Sequence, residues 1–223
     1  MMRLLLALCL LTSLPLLAQQ PIDAGSLAGR IDGKIYVSPT GAFRVSIPVL
    51  PELGGRILDT PNVVTFQDNF SVLCTIAAFP MDATQRWEHS TRGPKDYLAY
   101  FFANFVLPDF QETFRGAEVE SAKFAPSIGQ GSLLVYLLLP GGSMFADKLA
   151  FAAGNAAVPV AKRGNLLLVR NGWIFVLSVE LAERVIERSS YQKTTEEEDE
   201  ILRRRLTDLL EKVTFTAPAE SAP

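Results

Sequence analysis

Apolar and polar positions alternate with a period of two through most of this chain and switch to a helical period in two places. The densest apolar stretch is residues 163–181. It reads Arg-Gly-Asn-Leu-Leu-Leu-Val-Arg, then Asn-Gly, then Trp-Ile-Phe-Val-Leu-Ser-Val-Glu-Leu. Asn171-Gly172 between two apolar runs marks a two-residue type I′ hairpin turn, because that turn needs positive φ at both central residues. The turn sets the register: Arg170 faces Trp173, Leu168 faces Phe175 and Leu166 faces Leu177. Leu167, Val169, Ile174 and Val176 fall on the other face. Both faces are apolar and both must be covered, which puts this hairpin in the middle of a layered domain.

The same alternation predicts further strands. Residues 34–38 and 42–48 form a hairpin across Pro39-Thr40-Gly41, with Phe43, Val45 and Ile47 on one face and Arg44 and Ser46 on the other. Pro48, Pro51, Gly54 and Gly55 then make a loop. Residues 62–67 and 71–79 form a second hairpin across Asp68-Asn69, its second strand apolar on both faces. Residues 117–124 and 131–139 read as strands. Residues 81–94 are polar and read as a loop.

The helical period appears at Leu98, Phe101, Phe102 and Phe105, one stripe of a helix over 95–106 that Pro108 ends. It returns at the C-terminal side. Thr195 with Glu198 is a capping-box pattern, the acids of 196–200 sit at the positive end of the helix dipole, and Leu202, Leu206, Leu209, Leu210 and Val213 make the buried stripe. Residues 213–215 return as a short strand at the sheet edge. Residues 181–189 continue the hairpin as a helical turn or two. Residues 141–161 are rich in Ala and Gly, and 144–153 fit either a short helix or an irregular insertion. A sheet with two dry faces needs helical layers. The expected fold class is therefore α+β: an α-β-α sandwich whose central antiparallel β-sheet is flanked by helices 95–106 and 195–212.

The first residues change the picture of where the chain works. Met-Met-Arg is followed by an apolar run over 4–18 with Pro15 inside it, the make-up of a secretory signal peptide. The run is shorter than the ~20 residues that cross a bilayer. The expectation is a signal peptide at 1–18, a loose lead-in at 19–33, one domain at 34–216 and a disordered tail at 217–223. A retained N-terminal anchor is the alternative. The mature chain is expected to be exported, periplasmic or extracellular, and not membrane-spanning. Arg3 is the only charged residue before position 19, so the formal charge of −3 becomes −4 without it. That acidity, with no basic stripe, argues against nucleic acid as a partner. Cys9 leaves with the signal and Cys74 is then alone, so no internal disulfide supports the fold.

Candidate chemistry is thin. There is no Gly-x-Ser-x-Gly, no His-Glu-x-x-His, no phosphate-cradling loop and no Cys/His metal spacing. Gly129-Gln-Gly131 precedes a strand and lacks a third Gly, so it is not a dinucleotide site. His89, the one histidine, falls in a polar stretch. Cys74 falls in an apolar strand, where thiols are inert packing. The acids of 196–200 fan around a helix axis and read as a solvated helix start. No catalytic, cofactor or metal residue is assigned. What remains is apolar material beside loops: Trp87, Tyr97, Met144 and Phe145. These suit a protein-binding face, or a small apolar pocket between the sheet and the 141–161 segment.

The order of elements resembles the PsbP-like family. The matching pieces are Tyr36-Val-Ser-Pro-Thr-Gly-Ala-Phe-Arg-Val-Ser-Ile-Pro48, the hairpin from Arg163-Gly to Leu-Ser178, and the closing Leu209-Leu-Glu-Lys-Val-Thr-Phe215. They frame residues 34–216, and the 144–161 stretch departs from the compact family pattern. The resemblance implies an α-β-α sandwich, a fold shared with a Ran-binding nuclear import factor and with exported bacterial proteins. It also implies a non-catalytic accessory or docking role. The metal-binding histidines of the plant subunit have no match here, so no site residue carries over. Three functions follow as expectations: an exported, non-enzymatic accessory protein docking on an envelope partner; a small-ligand or lipid-binding module; and an enzyme using His89 and scattered carboxylates.

Overall fold

The computed structural model describes residues 27–146 and 159–216. The expected signal peptide, most of the lead-in, the middle of the 141–161 insertion and the 217–223 tail lie outside the described residues.

The central hairpin forms as its turn chemistry dictates. Strands β9 (Val160–Arg170) and β10 (Trp173–Glu180) pair with Arg170 opposite Trp173, Leu168 opposite Phe175 and Leu166 opposite Leu177. Asn171 and Gly172 take φ of 52° and 75°. The pair sits inside a seven-stranded antiparallel sheet. Beside it run β4 (Arg56–Asp59), β5 (Val63–Gln67), β6 (Leu73–Pro80), β7 (Glu118–Ala125) and β8 (Ser132–Pro140), in the order β4-β5-β6-β10-β9-β8-β7.

A second, four-stranded sheet holds β1 (Arg30–Asp32), β2 (Ile35–Val37), β3 (Phe43–Ser46) and β11 (Val213–Phe215) in the order β1-β2-β3-β11. The first hairpin and the closing strand thus build a small sheet of their own. β1 lies within the stretch expected as a loose lead-in, and β4 follows the Gly54-Gly55 loop as a short edge strand.

One face of the large sheet is closed by this small sheet and by helix α4 (Thr195–Glu211), which cover Leu166, Leu168, Phe175 and Leu177 with Phe43, Val45, Leu202 and Leu206. Gly164 lets α4 approach closely, because a Cβ there would stand 3.0 Å from Leu206 Cδ1 and 3.1 Å from Leu202 Cβ. Each such large side chain, moved fully out of water, stabilises by about 1.5–3 kcal/mol. Helix α3 (Ala182–Ile186) follows β10 directly. The cap of α4 is one residue earlier than the expected Thr195: Thr194 and Glu197 form the reciprocal capping box.

The other face is covered by a helical layer that departs further from expectation. Residues 81–94 are not a loop. Helix α1 (Ala83–Phe101) starts there, with Asp82 and Gln85 exchanging capping hydrogen bonds. It looked like a loop because a half-exposed helix carries mostly polar residues, and because Gly93-Pro94 interrupts it. Gly93 has φ 76°, a value that glycine adopts freely, and Pro94 restarts the helix where its missing N–H costs nothing. Nor does Pro108 end the layer. It stands in the first turn of helix α2 (Leu107–Thr113), where proline is tolerated.

Candidate binding groove

Between α1 and α2 lies a π-helical turn, Phe102–Val106, in which the Leu107 N–H donates to the Phe102 carbonyl five residues back. The extra residue rotates everything after it by about 100° about the helix axis. The stripe expected at Leu98, Phe101, Phe102 and Phe105 is therefore broken. The first three are buried, whereas Phe105 is 48% exposed. It turns over the sheet instead, stacked against Phe101 with ring centres 5.1 Å apart.

Below it the sheet is low. On this face, β6 and β10 carry Thr75, Ala77, Val176 and Ser178, with Val63 alongside on β5; Ala77 lies opposite Val176 and Thr75 opposite Ser178. Toward β8 the same face carries Leu133, Leu137 and Leu139, which fill the space under α1. Small floor residues under a wall of phenylalanines leave a groove of about 590 Å³. Its wall is Phe101, Phe105, Val106, Phe110 and Phe114, with Phe79 of β6 beside Phe101; its floor is Val63, Ala77 and Val176, and its polar lining Thr75, Arg163 and Ser178 from the sheet with Gln85, Asp109 and Thr113 from the helices. The volume falls within the ~300–1,000 Å³ of small-molecule sites.

Arg163 is held by the chain after β8. Its Nη2 donates to the Gly142 carbonyl at 3.0 Å and to Glu180 Oε2 at 3.3 Å, and Ser143 Oγ donates to Glu180 Oε1 at 2.6 Å. The guanidinium lies over the Phe114 ring, 5.5 Å from its centre. Burial pushes it below the ordinary arginine value, against the opposing pull of Glu180. The Arg163 Nε is buried with no hydrogen-bond acceptor among the described residues.

The residues singled out from sequence are scattered. Trp87 (62% exposed) and Met144 are exposed, but neither lines the groove. Tyr97 is fully buried on the inner face of α1, and its hydroxyl is pushed up to about 12 chiefly by burial. Phe145 is 2% exposed and packs with Leu73 and Ala182. These two are core rather than surface, because the elements beside them close over both rings. The groove also differs from the expected pocket. Its wall is the 101–114 helical segment, and none of the described residues of 141–161 lines it. His89 lies on α1, edge-on to Tyr97 at 5.2 Å, whereas Cys74 points into the core of the opposite face. The sheet separates them. Burial also pushes the Cys74 thiol up to about 12, as befits inert packing.

The acids of 196–200 are not all solvated. Glu198 is buried, and it accepts from Lys162 Nζ at 3.1 Å and from Arg184 Nη1 at 2.6 and 2.7 Å. Helical spacing in a polar run hid it. The usable signal was on the other partner: Lys162-Arg163 just before the apolar run Leu166–Val169 of a strand in the middle of the sheet. Among the described residues no three His, Cys, Asp or Glu side chains gather as a metal site, and no helix is long and apolar enough to cross a membrane.

No protein-family model and no curated protein sequence matches this chain. Solved structures do. The solution structure of cyanobacterial PsbP from Synechocystis sp. PCC 6803 superposes with a TM-score of 0.50 at 12% identity, over 84% of this chain and 98% of that one. The fold is PsbP-like. Two more structures have lower similarity. The Ran-binding protein Mog1p of Saccharomyces cerevisiae matches at TM-score 0.45 and 9% identity, over 86% of this chain and 97% of its own. A Bacteroides thetaiotaomicron crystal structure matches at TM-score 0.43 and 12% identity, and there this chain spans 52% of the other's length. At such identities the PsbP-like likeness is one of architecture. The groove has to be read from its own residues.

Proposed function

We propose that this is an exported, non-catalytic binding protein whose groove holds a small apolar guest. The observation that carries the reading is the groove itself: about 590 Å³, walled by phenylalanines that a π turn swings over a floor of small residues. A half-exposed phenylalanine over a low floor leaves apolar area that a guest of matching shape would take out of water. The signal-like residues 1–18 support export. The separation of His89 from Cys74 supports a role without covalent chemistry.

Docking on an envelope protein is the second reading. It is favoured by Leu50, Leu53 and Phe70, three exposed apolar side chains on two loops joined by the Asn69 N–H to Leu53 carbonyl bond. Native mass spectrometry of the protein purified without detergent from its own cells separates the two. A small-molecule adduct that heat or organic solvent removes, with a fall in thermal midpoint, is the expected result. A stoichiometric protein partner with no such adduct would move the assignment to docking. A bare chain, unshifted by any member of an apolar ligand panel, would overturn the groove reading.

A further inference from the structure

The groove is polar in one region only on its sheet side, and that region has donors to spare. Thr75 and Ser178 face each other on β6 and β10, and Arg163 lies on the same sheet face of β9. The Ser178 hydroxyl donates to Asn165 Oδ1 at 2.6 Å, which commits its proton and leaves its oxygen as an acceptor. Thr75 makes no side-chain hydrogen bond among the described residues. Arg163, with a side chain 13% exposed, uses Nη2 on Gly142 and Glu180 and leaves Nε without an acceptor. Glu180 balances its charge but does not line the groove, so among the described residues Arg163 is the one cation on the lining. The one carboxylate there, Asp109, is exposed on α2.

We infer that the guest is a single-headed amphiphile, with an acyl or aryl body along Phe101, Phe105 and Phe110 and an oxygen-acceptor head, a carboxylate or a hydroxyl, at Arg163 and Thr75. This rests on the binding reading above and adds the guest's chemistry and direction. Spare guanidinium donors on a low-dielectric floor favour an oxygen acceptor and reject a cation. The 590 Å³ volume suits a small molecule.

Calorimetric titration with decanoate, 1-decanol and decyltrimethylammonium, each below its micelle concentration, tests this on the full-length exported protein. Decanoate and decanol are expected to bind, and decyltrimethylammonium about tenfold or more weaker. Replacing Arg163→Gln together with Glu180→Gln keeps the buried pair neutral and should weaken decanoate about tenfold. Arg163→Lys, which keeps the ion pair but moves the donors, should weaken it in the same direction and serves if the double variant does not fold. Equal affinity for all three probes, unchanged in both variants, would overturn the head assignment while leaving groove binding intact. No binding of any probe would overturn both.

Discussion

Lys162 and Arg163 are neighbours in sequence, and strand alternation sends them to opposite faces of β9. On the closed face the Lys162 side chain is fully buried. Its Nζ lies 2.6 Å from Asp199 Oδ1 and 3.1 Å from Glu198 Oε2, and it contacts Glu120. Burial alone would lower its pKa, but Asp199, Glu120 and Glu198 together raise it. On the open face Arg163 has, among the described residues, Glu180 as its one acid; burial wins, and its pKa is lowered. The opposite signs carry the lesson. Lys162 is met by a carboxylate for each of its three N–H donors, and Arg163 by fewer acceptors than it has donors. The first ties α4 and β7 to the sheet, whereas the second is left with donors over a groove.

The two layers around these cations differ in the same way. The closed face is filled by the small sheet and α4, while the helical layer reaches only part of the other face. If the contrast is sound, substitutions on the two faces should separate stability from binding.

The largest stability effect is expected at Lys162. Lys162→Met leaves Glu120, Glu198 and Asp199 without their shared cation and should cost about 3–5 kcal/mol, read as a lower urea midpoint. A loss below about 1 kcal/mol would break the comparison.

A smaller effect, present at neutral pH and lost in acid, is expected where the edge strand β4 ties down the start of the described chain. The Asp59 carboxylate accepts from Gly29 N–H and the Tyr36 hydroxyl at 2.7 Å and from Ala28 N–H at 2.9 Å. Burial alone would raise its pKa, but those donors together hold it below the ordinary range. A depressed folded value contributes stability that is complete above the unfolded value of about 3.9 and is lost as pH falls through the lower folded one. Asp59→Asn should therefore flatten the loss of urea midpoint between about pH 5 and pH 2 relative to the unmodified protein. An unchanged slope would show that these bonds do not hold the charged form.

The smallest effect on stability is expected at Phe105. Phe105→Asp changes a half-exposed side chain whose main contact is the Phe101 ring and should lower stability by about 1 kcal/mol, although it stands at the mouth of the groove.

Much of the fold was legible because its signals are local. The Asn171-Gly172 turn set a register that carried both faces of the hairpin, and the leucine stripe from Leu202 to Leu209 found α4. The site was less so. The π turn at Phe102–Val106 leaves the 3.6-residue period intact in the sequence and breaks it in space, so Phe105 read as core. Tyr97 and Phe145 sit beside polar or small residues and read as surface, because the elements that bury them are remote in sequence. The groove depends on small floor residues on three strands lying opposite phenylalanines from a helical segment, a juxtaposition that no local pattern records.

The central claim, that the groove and not the general surface binds an apolar guest, is tested most directly by titrating N-phenyl-1-naphthylamine into three proteins and following its fluorescence. The unmodified protein and Trp87→Asp, altered at an exposed aromatic outside the groove, should bind alike. Phe105→Asp should bind about tenfold more weakly, since a charge then stands in the apolar wall. Equal weakening by both substitutions, or by neither, would contradict the account.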